Sequence, residues 1–136
     1  MMKKIHSKIT SELLHIIFHK NDFINGRTDI IEPDNFLQCS ALKFDKGKTF
    51  RPHKHLFRTR VLDIIAQESW VIINGSIKCI FYDIDDTIIA ESILYEGDTS
   101  FTLNGGHTYK VLENDTIVYE YKTGPYEGQK IDKIFI

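Results

Sequence analysis

The chain has 136 residues, of which 42% are hydrophobic and 26% charged, and this length is typical of a single domain with its own core. Its 17 basic and 19 acidic side chains give a net charge of −2 with neutral histidines, which excludes the strong positive charge that attracts nucleic acids and anionic membranes. No apolar stretch approaches the ~20 residues of a membrane-spanning helix, and the N-terminus lacks the apolar run of a signal peptide. We therefore expect one cytoplasmic domain over residues 1–136, with no nucleic-acid or membrane partner.

The first predicted element is a helix over residues 9–20. Its apolar residues have a spacing that places them on one broad helical face, and they are Ile9, Leu13, Leu14, Ile16, Ile17 and Phe18. Glu12 is favourable in the first turn of such a helix. His15 and His19 lie four residues apart, but no Glu follows His15 as it does in the H-E-x-x-H zinc motif. We therefore expect both imidazoles on the solvated face of the helix.

After residue 36 the pattern changes to short β-branched and aromatic runs, separated by turn signals about every ten residues. Runs of this kind occupy residues 70–73, 77–82 and 116–121. They are typical of an antiparallel β-sandwich or barrel. Asn74-Gly75 predicts a tight hairpin between the first two runs, because Asn-Gly favours a type I′ turn. The predicted fold class is all-β, with a barrel over about residues 36–136 preceded by a short N-terminal α-helix.

The two cysteines, Cys39 and Cys79, each lie in an apolar context, and the chain has no C-x-x-C motif. This pattern argues against a redox site or a zinc ribbon. We expect two buried, reduced thiols, with a disulfide between them as the alternative.

Three histidines and one glutamate have a spacing that suggests a metal site. His53 and His55 end a G-x5-H-x-H pattern, and side chains two residues apart on a strand project from the same face. Glu68 begins an E-x6-G pattern, and His107 follows a pair of glycines. Imidazole nitrogens together with a carboxylate oxygen suit a divalent transition metal such as Fe, Mn, Ni or Zn. The alternative is that these four are ordinary surface residues of strands and turns.

These patterns resemble the two sequence motifs of the cupin superfamily, whose members are small jelly-roll barrels, also described as double-stranded β-helices. The resemblance covers about the whole chain, and residues 116–126 are similar to the ending of WbuC-type cupin-fold metalloproteins. The resemblance implies that one divalent metal is held by the three histidines and the glutamate: His53, His55, Glu68 and His107. Because twelve residues separate the second histidine from the glutamate, we expect an inserted loop or hairpin over residues 56–67.

Two further side chains are expected near the metal. On a strand, Tyr109 shares a face with His107, and Arg51 shares a face with His53. The tyrosine is a candidate hydrogen-bond donor to a substrate oxygen, and the arginine a candidate partner for an anionic substrate. The alternative for both is packing or a surface position.

The resemblance implies a role in surface-polysaccharide synthesis, since WbuC-type genes accompany that of O-antigen and related polymers. We expect a metal-binding protein that acts on or binds a sugar or nucleotide-sugar intermediate, with the metal as a Lewis acid. Three alternatives stay open: a non-haem iron dioxygenase, a metal-free nucleotide-sugar isomerase or epimerase with a histidine base, and a non-catalytic small-molecule sensor. A homodimer is also expected, because the apolar, β-branched segments 30–31 and 131–136 would form strand edges that need cover; the alternative is that these segments pair within the monomer.

Overall fold

The computed structural model describes residues 1–43, 45–53, 65–123 and 134–136. His55 and most of the predicted insertion over residues 56–67 lie outside these ranges. The described elements are β1 (Lys3–His6), β2 (Leu13–Phe18), a 3₁₀ helix (Lys20–Asp22), β3 (Gly26–Asp29), β4 (Ser40–Lys43), β5 (Glu68–Asn74), β6 (Ser76–Tyr82), β7 (Ile88–Tyr95), β8 (Thr99–Thr102), β9 (Gly106–Val111) and β10 (Ile117–Lys122).

The described strands form three antiparallel sheets, so the architecture is all-β, as the turn spacing predicts. A five-stranded sheet has the order β1-β2-β8-β5-β10, a three-stranded sheet the order β7-β6-β9, and β3 pairs with β4. Within the described ranges none of these sheets closes into a barrel. The chain crosses between the two larger sheets from β5 to β6, from β7 to β8, from β8 to β9 and from β9 to β10. Strands that follow each other in sequence at these four points therefore lie in different sheets.

The main core lies between the five-stranded and three-stranded sheets. Trp70 and Ile72 of β5 pack there against Ile77, Cys79 and Phe81 of β6. Each of these side chains is at most 4% exposed. Because side chains alternate along a strand, the same inner face of β5 also carries Glu68.

A second core covers the opposite face of the five-stranded sheet. Ile16 and Phe18 of β2 and Phe101 of β8 pack there against Ile30 and Ala41. These two residues belong to the segment 26–43, which contains the paired strands β3 and β4 and is called the β3–β4 unit. Both β2 and β8 are therefore buried on two faces. Strand β2 accordingly has a nearly continuous apolar sequence instead of an alternating one, whereas three of the four residues of β8 are polar.

The predicted helix over residues 9–20 is wrong, because Leu13–Phe18 is strand β2 and pairs with both β1 and β8. Strand β2 has consecutive apolar residues because a core covers each of its two faces. A short run of this kind lacks the alternation of apolar and polar residues that identifies a strand. Residues 7–12 form the β1–β2 turn, in which Ser11 has a φ of 64°. Across the described residues, we find no helix with the length and apolar character needed to span a membrane.

The hairpin predicted at Asn74-Gly75 is also wrong. Strands β5 and β6 do not pair with each other; β5 pairs with β8 and β10, and β6 with β7 and β9. Gly75 has a φ of 79°, whereas Asn74 lies outside the left-handed region, so the pair lacks the two positive φ angles of a type I′ turn. Gly75 instead turns the chain from one sheet to the other.

Candidate functional site

Glu68 and His107 meet across the gap between the two larger sheets. Glu68 begins β5 in the five-stranded sheet, and His107 is the second residue of β9 in the three-stranded sheet. The Nε2 atom of His107 lies 3.5 Å from Oε1 of Glu68, and both side chains are partly buried. Two of the four predicted metal ligands are therefore adjacent.

Thr102 lies beside this pair. It is the last residue of β8 and stands opposite Glu68 of β5 on one side and His15 of β2 on the other. Because directly opposite residues share a face of the sheet, all three side chains point toward the three-stranded sheet. The hydroxyl oxygen of Thr102 lies 2.8 Å from Nδ1 of His107 and 3.1 Å from Nδ1 of His15.

The expectation that His15 is a solvated residue is wrong, because its side chain is fully buried. Its ring packs 4.8 Å from the ring of Phe81, centroid to centroid, and its Nε2 atom lies 3.2 Å from the carbonyl oxygen of Tyr82. Burial lowers the pKa of His15 from 6.5 to about 4, although the Tyr82 carbonyl favours the charged ring. His15 is therefore a neutral imidazole at neutral pH.

The turn before β9 brings His107 to this position. Gly105 has a φ of 80°, and a side chain there would meet the carbonyl oxygen of Tyr82 at 2.6 Å and Nε2 of His15 at 3.3 Å. The backbone thus passes close to the His15–Tyr82 contact. This close approach explains the need for glycine at residue 105.

Aromatic rings pack against the imidazole of His107. The ring centroid of Trp70 lies 4.6 Å from that of His107 and 4.4 Å from that of Tyr109. Tyr109 is therefore next to the inner face, as predicted for the residue two after His107, although 43% of it is exposed. The indole Nε1 of Trp70 is buried and has no hydrogen-bond partner among the described residues.

Of the other predicted site residues, the structure describes Arg51 and His53. Arg51 and His53 are both exposed, and Nδ1 of His53 lies 3.0 Å from the carbonyl oxygen of Arg51. His55 is outside the described ranges. Within those ranges, no three His, Cys, Asp or Glu side chains form a group suited to hold a metal ion.

His15 belongs to this site, although no motif in the sequence predicts it there. The available signal was its position inside the run Leu13–Phe18, where a polar residue among consecutive buried positions needs a hydrogen-bond partner. On a helix, by contrast, His15 would have a solvent-exposed face available and would need no such partner.

Comparison of the chain with protein-family models, with curated proteins and with solved structures finds no match.

Proposed function

We propose that the protein binds one divalent transition metal at the Glu68–His107 pair and uses it to bind or convert a polar small molecule. The observation that supports this proposal is the 3.5 Å separation between Nε2 of His107 and Oε1 of Glu68. These two donors come from strands on different sheets. A metal ion between them would also link the sheets.

The donor atoms fit a metal by their distance and by their surroundings. Two donors each about 2.1 Å from one ion lie at most about 4.2 Å apart, and 3.5 Å is within that limit. The other ring nitrogen of His107 contacts the hydroxyl of Thr102, and metal-binding histidines usually have such a partner. The G-x5-H-x-H spacing makes His53 and His55 the candidates to complete the ligand set, although the structure does not group His53 with Glu68 and His107.

The metal would supply Lewis-acid chemistry to a ligand carbonyl or hydroxyl. Tyr109 presents a partly exposed phenol beside the pair, and Trp70 offers an indole N–H without a partner in the described part of the chain. Leaving a buried donor unpaired costs about 1–3 kcal/mol, so a ligand oxygen that accepts from Trp70 would recover part of this energy. These donors suit a hydroxyl-rich ligand, and the ligand class that we propose from the cupin resemblance is a sugar or nucleotide-sugar intermediate of surface-polysaccharide synthesis.

Metal analysis tests this proposal directly. We expect the purified protein, loaded with Zn²⁺ and desalted, to retain about one equivalent, and Glu68→Gln and His107→Gln each to weaken binding at least tenfold. Glu91→Gln and His6→Gln are matched controls, because both residues are exposed and lie on other strands. Retention of the metal in both site variants would overturn the site.

A wild-type protein that binds no Zn²⁺, Fe²⁺, Mn²⁺ or Ni²⁺ would overturn the metal proposal as a whole. The same Glu68–His107 contact would then favour the metal-free isomerase, in which an imidazole oriented by neighbouring groups acts as the base. Binding of a sugar nucleotide, measured by calorimetry with and without metal, separates these two functions.

A further inference from the structure

We propose that His15 is a positioning residue that, through the hydroxyl of Thr102, fixes His107 as the tautomer protonated on Nδ1. The use of this tautomer in metal binding rests on the proposed function. The tautomer itself follows from the hydrogen-bond chain Tyr82–His15–Thr102–His107.

The hydrogen-bond chain starts at the carbonyl group of Tyr82, which can only accept a hydrogen bond. The carbonyl oxygen of Tyr82 lies 3.2 Å from Nε2 of His15, and a carbonyl has no hydrogen to donate. Nε2 of His15 must therefore carry the proton. The opposite tautomer would direct a nitrogen lone pair at the carbonyl oxygen, while the His15 side chain is fully buried.

The second step is the direction of the hydroxyl. A neutral imidazole has one N–H, and the lowered pKa of His15 keeps it neutral at neutral pH. Its Nδ1 is then an acceptor, 3.1 Å from the hydroxyl oxygen of Thr102. Thr102 has a single hydroxyl hydrogen, which it donates to His15.

The third step fixes His107. Since the hydroxyl hydrogen of Thr102 is used toward His15, its oxygen is an acceptor for Nδ1 of His107 at 2.8 Å. His107 therefore donates from Nδ1, and its neutral form carries the lone pair on Nε2. That nitrogen is the one 3.5 Å from Glu68.

This tautomer has a direct consequence for the Glu68–His107 pair. A lone pair and a carboxylate repel each other, so the close approach is favourable only with a proton or a metal cation between them. Metal binding needs a deprotonated ligand nitrogen, and His107 presents it on the side of the carboxylate. His15 thus prepares the pair for a cation without contacting the ion.

The test is the tautomer of His107 in metal-free protein, read from long-range ¹H–¹⁵N correlation spectra at the basic end of a pH titration. We expect the Nδ1-protonated form in the wild type. In His15→Phe the ring volume is retained but the acceptor is lost, so Thr102 is released to donate to His107. We expect this variant to shift His107 toward the Nε2-protonated form.

A conservative pair at residue 102 provides the control. Thr102→Ser keeps the hydroxyl and should keep the wild-type tautomer, whereas Thr102→Val removes it and should give a mixture. Nε2 protonation of His107 in the wild type, or an unchanged tautomer in His15→Phe and Thr102→Val, would overturn the inference. The wild-type measurement tests it even where a variant fails to fold.

Titration with Zn²⁺ alone separates this inference from the proposed function. We expect His15→Phe and Thr102→Val to weaken zinc binding by about 10- to 100-fold, as loss of a partner to a ligating histidine does, and Thr102→Ser to bind like the wild type. Expected tautomers without zinc binding would overturn the metal function and leave the positioning role standing. Zinc binding by a wild type with the opposite tautomer would overturn the positioning role alone.

Discussion

The Nε2 atom of His15 on β2 lies 3.2 Å from the carbonyl oxygen of Tyr82 at the end of β6. This contact joins the five-stranded sheet to the three-stranded sheet inside the core. Gly105 packs against the same carbonyl, so the turn that leads into β9 and His107 keeps its position only if residue 105 has no side chain. Changes at residues 15 and 105 should therefore affect both the stability of the fold and the geometry of the site.

Gly105→Ala should be strongly destabilising. Its φ of 80° strains any residue with a Cβ, and the added atom would lie 2.6 Å from the Tyr82 oxygen. Left-handed backbone strain alone costs about 1–2 kcal/mol, and the clash with a backbone oxygen adds to it. We expect a loss of about 2–4 kcal/mol in the free energy of unfolding, measured by urea denaturation.

Gly26→Ala is the matched control for this prediction. Gly26 has a φ of 96°, but a Cβ there would meet nothing within 4 Å. Its substitution should cost only the backbone strain, about 1–2 kcal/mol. Equal losses for the two variants would contradict a clash at Gly105.

The stability of the protein should rise with pH between about pH 4 and 6.5. The pKa of His15 is about 4 in the folded protein and 6.5 as its ordinary value. Between these values the unfolded chain binds a proton that the folded chain does not, so the free energy of unfolding increases with pH and levels off above 6.5. The shift corresponds to at most about 3.4 kcal/mol.

His15→Phe isolates this pH dependence. The difference in unfolding free energy between wild type and variant, measured by urea denaturation across this range, should vary with pH as the His15 proton is lost. About one pH unit above 6.5 the difference should become constant. A difference that is flat across the whole range would show that His15 is not held neutral in the core.

The all-β class was predictable because most strands lie between clear turns. Residues 70–73, 77–82 and 116–121 were identified as strand-like, and they correspond to β5, β6 and β10. The error at β2 came from burial on two faces, which removes the alternation that identifies a strand. The second core that covers β2 comes from the β3–β4 unit, and such long-range packing leaves no local pattern in β2.

The error at Asn74-Gly75 has a related cause. Asn-Gly favours a positive φ in a turn, whichever strands the turn connects. The local sequence therefore does not distinguish a hairpin from a crossing between sheets. The long-range pairing of β5 with β8 and β10 decides the outcome. The structure therefore has the expected positive φ at Gly75 without the expected hairpin.

For the candidate site, spacing was sufficient to select Glu68 and His107, which the fold brings to 3.5 Å. It was not sufficient for His15 or Thr102, because neither belongs to a motif. Their roles come from the register of β2 and β5 on either side of β8. Register depends on the pairing of whole strands and is not encoded in the spacing of a few residues.

Ser7→Ala should destabilise the protein by about 1–3 kcal/mol, the usual cost of losing a hydrogen bond to a charged group, although the backbone amides of Lys8 and Ile84 still donate to Asp83. The hydroxyl of Ser7 donates to Oδ1 of buried Asp83 at 2.6 Å and also accepts from the backbone amides of Ile9 and Thr10. Mainly through this Ser7 bond, and against the effect of burial, the pKa of Asp83 lies below its ordinary value. Urea denaturation at neutral pH measures the loss.

A second Ser–Asp pair provides the control for Ser7→Ala. The hydroxyl of Ser40 donates to Asp29 at the same distance of 2.6 Å, but this pair is exposed. Water replaces a lost partner at the surface, so Ser40→Ala should change the free energy of unfolding by less than about 0.5 kcal/mol. A similar loss for both serines would contradict a specific role of the buried pair.

The Cys79 thiol should react only when the protein unfolds. Cys39 and Cys79 are both free, and burial raises the pKa of Cys79 to about 12, so at pH 8 only about one thiol in ten thousand is ionised. In a Cys39→Ser variant, iodoacetamide labelling of Cys79 should be very slow in buffer and should accelerate in proportion to the unfolded fraction as urea is added. Rapid labelling without urea would mean that the core between β5 and β6 opens locally, because Cys79 is fully buried there beside Trp70 and Phe81.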